Sequence, residues 1–403
     1  MHPVVVDKPY SFVPPYRGTY WPRFLQLLMR RKLRRQFGVV DVRCQNLDRL
    51  RQSLSAGHGI LLTPNHCRPC DPLVVGEMCR QAGTSPFTLA SWHLFLQGRW
   101  RAFLLRRIGA FSIYREGMDR QALQASIQIL QEAQRPLVIF PEGVITRTND
   151  RLVALMEGTS FIARAAAKRR AETQPPGQVV IHPVAIRYFF QGDIQASVQA
   201  VLDDLERRLT WQPQLAMGLY ERIYKLGEAL LCLKEMEYLG QPQTGPAFQR
   251  LERLIDHVLV PMEHEWLNGR REASVVARVK KLRAAILPDM IQGPLSDQER
   301  ERRWRQLADM YLIQQMSHYP PDYIRSNPTP ERMLETVERF EEDLTDACRL
   351  HPPIVATVQV GDAIPVSMTR ERGAPDDPLM AAVETSLRSM LAELASSRQA
   401  STT

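Results

Sequence analysis

The sequence predicts an α/β fold, in which a sheet flanked by helices is interrupted by a large all-helical insertion before the last strand. Two observations predict this fold. From residue 39 to about 190, short β-branched runs alternate with amphipathic stretches, which is the rhythm of a sheet with helices on its faces. From about 194 to 350 one helical pattern follows another, and a strand pattern returns only at 354–366.

The elements of the α/β part follow from these patterns. Strands are predicted at 39–44, 59–65, 86–91, 110–115, 136–141, 178–189 and 354–366. Helices are predicted at 47–54, 72–81, 92–108, 119–133, 159–170 and 377–395. The strand runs are mostly apolar, which is typical of strands buried on both faces of a sheet.

The insertion is predicted to contain helices at 196–209, 215–238, 247–266, 273–286, 297–317 and 330–349. Two of these helix starts are marked by their caps. Ser296 followed by Glu299 forms a capping box, and Thr329 precedes Pro330 at the first helical position. No internal repeat of fixed period is evident, and the tail 396–403 is expected to be disordered.

Three regions result from these patterns. Residues 1–38 form an N-terminal segment with a basic amphipathic helix. Residues 39–192 together with 353–396 form the α/β domain, and 193–352 form the helical insertion. No run of about 18 apolar residues occurs, so a membrane-spanning helix is not expected.

Composition limits the class of protein. Six cysteines scattered over 403 residues do not form a disulfide framework, so a reducing, cytoplasmic compartment is expected. The first twenty residues lack an apolar core after a basic start, so no secretory signal is expected. A formal net charge of +8 favours an anionic membrane surface, a phosphorylated substrate or nucleic acid as partner. Nucleic acid is disfavoured because the basic residues form no recognised binding module.

The segment 20–38 predicts contact with a membrane. Apolar residues recur there at helical spacing, namely Trp21, Phe24, Leu25, Leu28 and Leu33. Its basic residues are Arg23, Arg30, Arg31, Lys32, Arg34 and Arg35, with no acid among them. Such a helix suits an anionic bilayer surface, where each basic residue contributes about 1 kcal/mol. The alternative is a solvated helix that packs its apolar stripe on the α/β domain.

The stretch 61–75 contains a group of polar and reactive residues between two apolar runs. Cys67 and Cys70 could belong to a metal or redox site, but no second cysteine pair at zinc spacing accompanies them, so no metal is predicted. His66 and Asp71 instead suit proton transfer. His66 follows a strand, at the edge where α/β proteins open their crevices, and Asp71 can fold back through the turn to accept from Nδ1.

Three further blocks accompany this pair. The second block contains Gly109, Phe111 and Arg115; the third is Phe140, Pro141, Glu142 and Gly143; the fourth contains Ile181, Pro183, Val184 and Ile186. With Asn65, His66 and Asp71 as the first block, the chain over about 39–192 resembles the glycerolipid acyltransferases. This family includes the lysophosphatidate and glycerol-3-phosphate acyltransferases. The strand at 358–366 is similar to the closing strand of the family.

The resemblance implies a reaction. A fatty acyl group passes from acyl-CoA or acyl-carrier protein to a hydroxyl of a lysophospholipid, with 1-acyl-glycerol-3-phosphate as the first choice. Glycerol 3-phosphate or another lipid acceptor is the alternative, and a non-catalytic membrane-associated scaffold is the alternative from another class. No bound cofactor is implied. The protein is expected in the cytoplasm, peripherally associated with the inner face of a membrane.

The resemblance also implies roles for individual residues. His66 acts as general base and Asp71 orients it. Glu142 and Gly143 contact the acceptor, and Arg115 pairs with its phosphate. Further candidates for the phosphate are Arg68 and Arg147. The chain departs from the usual pattern at Val144, Ile145 and Glu157, which lie where the acceptor phosphate is expected, so the acceptor stays open. The helix at 92–108, with Arg99, Arg101, Arg106 and Arg107, is expected near the membrane or the acyl groove, or else in the core.

Overall fold

Eight strands form one sheet, and its strand order does not follow the chain. A computed structural model describes residues 6–319, 322–370 and 377–401. The strands are β1 (Val39–Gln45), β2 (Gly59–Pro64), β3 (Phe87–Ser91), β4 (Ala110–Ile113), β5 (Leu137–Val138), β6 (Val179–Phe190), β7 (Ile354–Val360) and β8 (Ile364–Pro365). Their order is β1-β7-β6-β2-β5-β3-β4, with β8 paired to β6. All neighbours are parallel except β6–β7 and β6–β8, which are antiparallel.

The residues divide into two units. The sheet unit comprises 12–113, 119–192 and the described part of 350–403. The helical unit comprises the described parts of 1–11 and 193–349, together with 114–118. The predicted fold class, an α/β sheet with a large helical region before the final strands, is confirmed.

The central strands of the sheet are buried along their whole length. Every residue of β2, β6 and β7 is buried, as the apolar strand runs predicted. β1 lies at one edge of the sheet, and of its residues Val39 and Val42 are buried. The core on one side is formed by Leu61, Phe111 and Ile181 with side chains of the flanking helices, so the sheet is a rigid support for the residues at its strand ends.

Helices cover the sheet. Those of the sheet unit are α1 (Tyr20–Phe37), α2 (Leu47–Ser55), α3 (Asp71–Gln81), α4 (Arg99–Arg107), α5 (Arg120–Glu132), α6 (Gly158–Ala171) and, last in the chain, α14 (Pro378–Ser401). The helix α1 packs on α3 through a buried stripe that includes Gln26, Met29 and Leu33. Gln26 Nε2 donates to the carbonyl of Gly76 at 3.2 Å, so α1 is fastened to the sheet unit by one face.

Some predicted boundaries are wrong. The strand predicted at 136–141 is only Leu137–Val138, because the chain turns at Phe140 and Gly143 has φ +69°. The helix predicted at 92–108 is a short 3-10 turn, Trp92–Phe95, followed by α4. Gly98, at φ +117°, separates the two. The expected disordered tail is wrong as far as Ser401, since α14 continues to that residue.

The helical unit contains seven helices among the described residues. They are α7 (Ile194–Arg208), α8 (Leu219–Leu239), α9 (Ala247–Leu267), α10 (Val275–Gln292), α11 (Asp297–Met316), α12 (Tyr323–Ser326) and α13 (Pro330–Thr345). Ser296 accepts from the backbone N of Glu299 at 3.2 Å, and Thr329 accepts from that of Arg332 at 3.3 Å, so both residues cap their helices. The carboxylate of Glu299 binds Arg302 and Arg303, so only the Ser296 half of the predicted capping box is seen. The last helix ends earlier than predicted, where Asp346 adopts a left-handed conformation.

A buried ion pair recurs in this unit. Arg222, Arg250 and Arg278 lie at equal spacing along the chain, each in the first turn of its helix. Through Nε and Nη2 they bind both oxygens of Glu206, Glu235 and Glu263 respectively, at 2.6–3.1 Å. The expectation of no fixed repeat is therefore wrong for α7–α10. The repeat is hidden in the sequence because it consists of a few charged positions in otherwise different helices.

Among the residues that the structure describes, no helix is both long and apolar enough to cross a bilayer.

Candidate functional site

His66 and Asp71 meet in the turn between β2 and α3. Nδ1 of His66 lies 2.8 Å from Oδ2 of Asp71. The backbone N of Arg68 donates to the same oxygen at 2.8 Å, which holds the carboxylate across the turn. Asp71 is completely buried, while the His66 side chain keeps 15% of its surface exposed. Because Nδ1 faces Asp71, Nε2 is the ring nitrogen that is left for another group.

The third block fixes the histidine from another side. The ring of Phe140 stacks on the imidazole with 4.1 Å between ring centroids. Oε1 of Glu142 accepts from the backbone N of His66 at 2.6 Å. The carbonyl of His66 accepts from the backbone N of Thr146 at 2.8 Å. The ring, N–H and carbonyl of His66 are thus each held by the segment after β5.

Two asparagines connect this region to β6. The amide of Asn65 donates to the carbonyl of Ile186 at 3.0 Å and accepts from its N–H at 2.7 Å. Asn149 makes the same pair of contacts with Tyr188, at 2.7 Å in both directions. Each side-chain amide forms the two hydrogen bonds that a neighbouring strand would form with β6. The loops that follow β2 and β5 are therefore both attached to β6.

The carboxylate of Glu142 is buried and accepts hydrogen bonds from two backbone N–H groups. Its exposure is 2%; one carboxylate oxygen accepts from His66 and the other from the backbone N of Val153 at 3.0 Å. Burial raises the pKa of this carboxyl to about 7, against the two N–H groups, which lower it. Both oxygens are in use, so contact with an acceptor hydroxyl would require one of these hydrogen bonds to be exchanged.

Gly143 and Gly109 are required by their backbone conformations. Gly143 has φ +69°, and a Cβ there would lie 2.4 Å from Sδ of Met156. Gly109 has φ +100°, and a Cβ would lie 2.5 Å from Nη2 of Arg135 and 2.7 Å from the carbonyl of Pro86. Any side chain at these positions would strain the turns that follow β5 and precede β4.

The remaining motif residues support the architecture. Phe111 is fully buried in the core, and Pro141 is buried in the turn after β5. Pro183 lies within β6 opposite Thr63 of β2, and its carbonyl accepts from the backbone N of Gly361 at 2.8 Å.

The three candidate arginines have different surroundings. The guanidinium of Arg68 lies over the ring of Tyr188, 5.5 Å from its centroid. Arg147 is half-buried and has φ +57°, which is uncommon for a residue with a Cβ. Arg115 belongs to the helical unit, where burial lowers the pKa of its guanidinium. Of the three, only Arg68 contacts Asp71, and it does so through its backbone.

The sequence interpretation missed Tyr188. Its hydroxyl donates to Oδ1 of Asp71, the oxygen that His66 does not use. The ring is fully buried, and burial together with the charge of Asp71 raises the pKa of Tyr188 well above its usual value. The phenol therefore remains a neutral donor. Its only signal in the sequence is a tyrosine near the end of the apolar strand predicted at 178–189. That signal does not reveal the pairing with Asp71, because the pairing depends on the contact between β2 and β6.

The two nearby cysteines are free and buried. Sγ of Cys70 contacts Oη of Tyr188 at 3.3 Å, and burial followed by the charge of Asp71 raises the pKa of the thiol to about 12. A thiolate is thus strongly disfavoured there. Within the described ranges, no group of three His, Cys, Asp or Glu side chains could hold a metal ion.

Comparison with known proteins agrees with this geometry. Residues 41–187 match a family model described as Acyltransferase. The matched segment includes every block from Asn65 to Ile186, and the match supports an acyltransferase domain of the glycerolipid type and acyl transfer as its chemistry. The chain matches no curated protein.

Proposed function

We propose that the protein transfers a fatty acyl group from acyl-CoA or acyl-carrier protein to a hydroxyl of a lysophospholipid, with 1-acyl-glycerol-3-phosphate as the preferred acceptor. The acyltransferase match over 41–187 supports the reaction class. The observation that carries the proposal is the 2.8 Å contact between His66 Nδ1 and Asp71 Oδ2, together with an imidazole that remains partly exposed.

The proton transfer proceeds through His66. Asp71 keeps the proton on Nδ1, so the Nε2 lone pair takes the proton of the acceptor hydroxyl as its oxygen attacks the thioester carbonyl carbon. The tetrahedral intermediate then breaks its C–S bond, and the imidazolium returns the proton to the leaving sulfur. The products are the ester and the free thiol, with no acyl-enzyme. General-base catalysis of this kind contributes about 10²–10⁴ in rate.

The acceptor requires groups for its hydroxyls and for its phosphate. Glu142 and Gly143 are proposed for its hydroxyls, and Arg115, Arg68 and Arg147 are the candidates for its phosphate. Arginine suits this role because its planar guanidinium can bind two phosphate oxygens at once.

The protein is proposed to act at a membrane surface, on the cytoplasmic face. Several apolar side chains of α1 and α4 are exposed: Tyr20, Phe24, Leu27, Leu28, Trp100 and Leu104. Trp21 of α1 packs edge-on against Phe103 of α4, with 5.8 Å between centroids. Lys32 of α1 has its pKa lowered by burial and by Arg101 of α4, so basic groups of the two helices are neighbours. This combination suits an anionic lipid surface.

The test is an acylation assay with the purified chain. Labelled acyl-CoA or acyl-carrier protein is offered with lysophosphatidate, glycerol 3-phosphate or other lysolipids, and the products are read by mass spectrometry. We expect His66→Ala to lower kcat by at least about 10²-fold. The matched control is His257→Ala, at an exposed position of α9, which should keep the wild-type rate.

Two outcomes would change the proposal. Transfer to glycerol 3-phosphate or another lipid, but not to lysophosphatidate, would keep the chemistry and replace the acceptor. Absence of transfer to every acceptor, with circular dichroism showing a folded chain, would favour a membrane-associated scaffold instead.

A further inference from the structure

Among the described residues, one buried arginine of the helical unit lacks the carboxylate that Arg222, Arg250 and Arg278 have. Arg283 of α10 is 6% exposed. Among the residues that the structure describes, its Nε and Nη2 have no hydrogen-bond partner. A guanidinium keeps its charge at neutral pH, and a buried charge without a partner is unfavourable. The position therefore calls for a negative group.

The recurring ion pairs of the same unit show what that group must offer. Arg222, Arg250 and Arg278 each use Nε and Nη2, the same edge of the guanidinium, to bind two carboxylate oxygens. In Arg283 this same edge is the one without partners. The missing group therefore has two oxygens at carboxylate or phosphate spacing.

The charges around Arg283 favour a multiply charged anion. Lys280 lies one turn earlier on α10, and Arg115 is part of the same unit. The positive charge of Arg115 lowers the pKa of both Lys280 and Arg283, in addition to the larger effect of burial. Glu116 is the acid that opposes them, and Tyr311 of α11 also faces Arg283. Lys280 and Arg115 add positive charge to that of Arg283, which suits a phosphate dianion better than a single carboxylate.

We infer that Arg283, with Lys280 and Arg115 beside it, forms a binding site for a phosphate group. Arg283 and Lys280 lie in α10, outside the segment 41–187 that the acyltransferase family model matches. The inference rests on the proposed function only in one respect: the phosphate of the acceptor is one of the two sources that the experiments compare. Free inorganic phosphate is the other source of the same chemistry.

The direct test is binding of inorganic phosphate and glycerol 3-phosphate to the full chain, measured by isothermal titration calorimetry, with glycerol as the uncharged probe. We expect wild type to bind both phosphates and Arg283→Met to bind them at least tenfold more weakly. Arg283→Lys keeps the charge but lacks the planar edge, so it should fall between them. Arg270→Met, at an exposed position of the same unit, should bind as wild type does.

The Arg283→Met chain should remain folded, because methionine fills a similar space and removes an unpartnered charge. Its melting temperature should not fall, and phosphate should raise the melting temperature of wild type only. Equal phosphate affinity in wild type and Arg283→Met, or no phosphate binding by either, would overturn the site.

Steady-state kinetics identify the source of the phosphate that binds at Arg283, and they test the phosphate site independently of the proposed function. A higher KM of Arg283→Met for lysophosphatidate, but not for monoacylglycerol, assigns the site to the acceptor phosphate. Weaker phosphate binding with unchanged KM assigns it to free phosphate. Acyl transfer without phosphate binding would overturn the site alone, and phosphate binding without acyl transfer would overturn the function alone.

Discussion

At the scale of single residues, the carboxylate of Asp71 is the centre of the arrangement. One oxygen accepts from His66 and from the backbone of Arg68, and the other accepts from Tyr188. A buried carboxylate is stable in its charged form only when such donors surround it. The orientation of His66 is therefore set by groups from both β6 and the turn before α3.

Tyr188 should act as a positioning residue through Asp71. In Tyr188→Phe the carboxylate loses one donor, so its charge is less dispersed and it stabilises the imidazolium more strongly. We expect kcat nevertheless to fall by about tenfold, because Asp71, and through it the imidazole, is held less firmly in the reactive orientation once this hydrogen bond to a charged group is lost. KM should be unchanged, and the acidic limb of the kcat–pH profile should move to higher pH.

A purely structural role for Tyr188 would lower stability without moving the pH profile, and that result would contradict the prediction. Tyr224→Phe is the matched control, because Tyr224 is a half-exposed tyrosine of α8 whose hydroxyl donates to Glu228, one turn further along the helix. It should keep both the rate and the profile.

Glu142 should make stability depend on pH. Its pKa is raised from 4.5 to about 7 by burial, so the folded chain holds this proton more tightly than the unfolded chain. The resulting stabilisation is fully present below about pH 4.5 and is lost as pH rises through about 7, a change of about 3 kcal/mol.

Urea unfolding of wild type and Glu142→Gln at several pH values measures this contribution. Wild type should lose more stability than the variant between pH 4.5 and 7. Parallel curves for the two proteins would show that Glu142 does not titrate in this range. The variant should also lose activity, because an amide cannot accept from both His66 and Val153.

At the scale of secondary-structure elements, the helical unit depends on buried ion pairs. Arg250 and Glu235 are 6% and 0% exposed and join α9 to α8. Removing one partner leaves the other charge buried, so Arg250→Met should lower the free energy of unfolding of this helix pair by about 3–5 kcal/mol.

Replacing both partners, in Glu235→Leu with Arg250→Met, should recover most of this loss, because no charge remains buried. Hydrogen exchange of the α8 and α9 amides provides the measurement. The exposed Arg270→Met should change the free energy by less than about 0.5 kcal/mol. A double variant as unstable as the single one would show that the pair contributes by packing instead of charge.

The sequence patterns were accurate for the long elements and poor at the ends near the site. The apolar run at 136–141 predicts a strand, but the turn after Val138 brings Glu142 to the backbone of His66. Local propensity carries no information about that contact. Asn65 and Asn149 likewise act as strand substitutes on β6, which is visible only once β2 and β6 are paired.

At the scale of the whole molecule, membrane binding can be tested without damaging the fold. Removing residues 1–38 would uncover the core, because Met29 and Leu33 of α1 are buried. Substitution of Leu27 and Trp100, which are 69% and 75% exposed, leaves that stripe intact.

The double variant Leu27→Ser/Trp100→Ser should bind vesicles of phosphatidylcholine and phosphatidylglycerol at least about tenfold more weakly, since two apolar side chains no longer enter the lipid. Co-sedimentation measures the binding, and vesicles lacking phosphatidylglycerol should bind wild type less. The control is Phe248→Ser, an exposed position of α9. Equal binding by wild type and the double variant would contradict contact through α1 and α4.

By itself the sequence determined the α/β fold class, the long helical region and the short turn that brings Asp71 to His66, because periodicity and residue spacing act over a few residues. Only the tertiary structure decided that β7, which follows the helical region in the chain, lies between β1 and β6. The same holds for the contact of Tyr188 with Asp71 and for Arg283, whose Nε and Nη2 have no partner among the described residues. These depend on contacts between residues far apart in the chain, and such contacts are selected by the packing of the whole core, which no local pattern encodes.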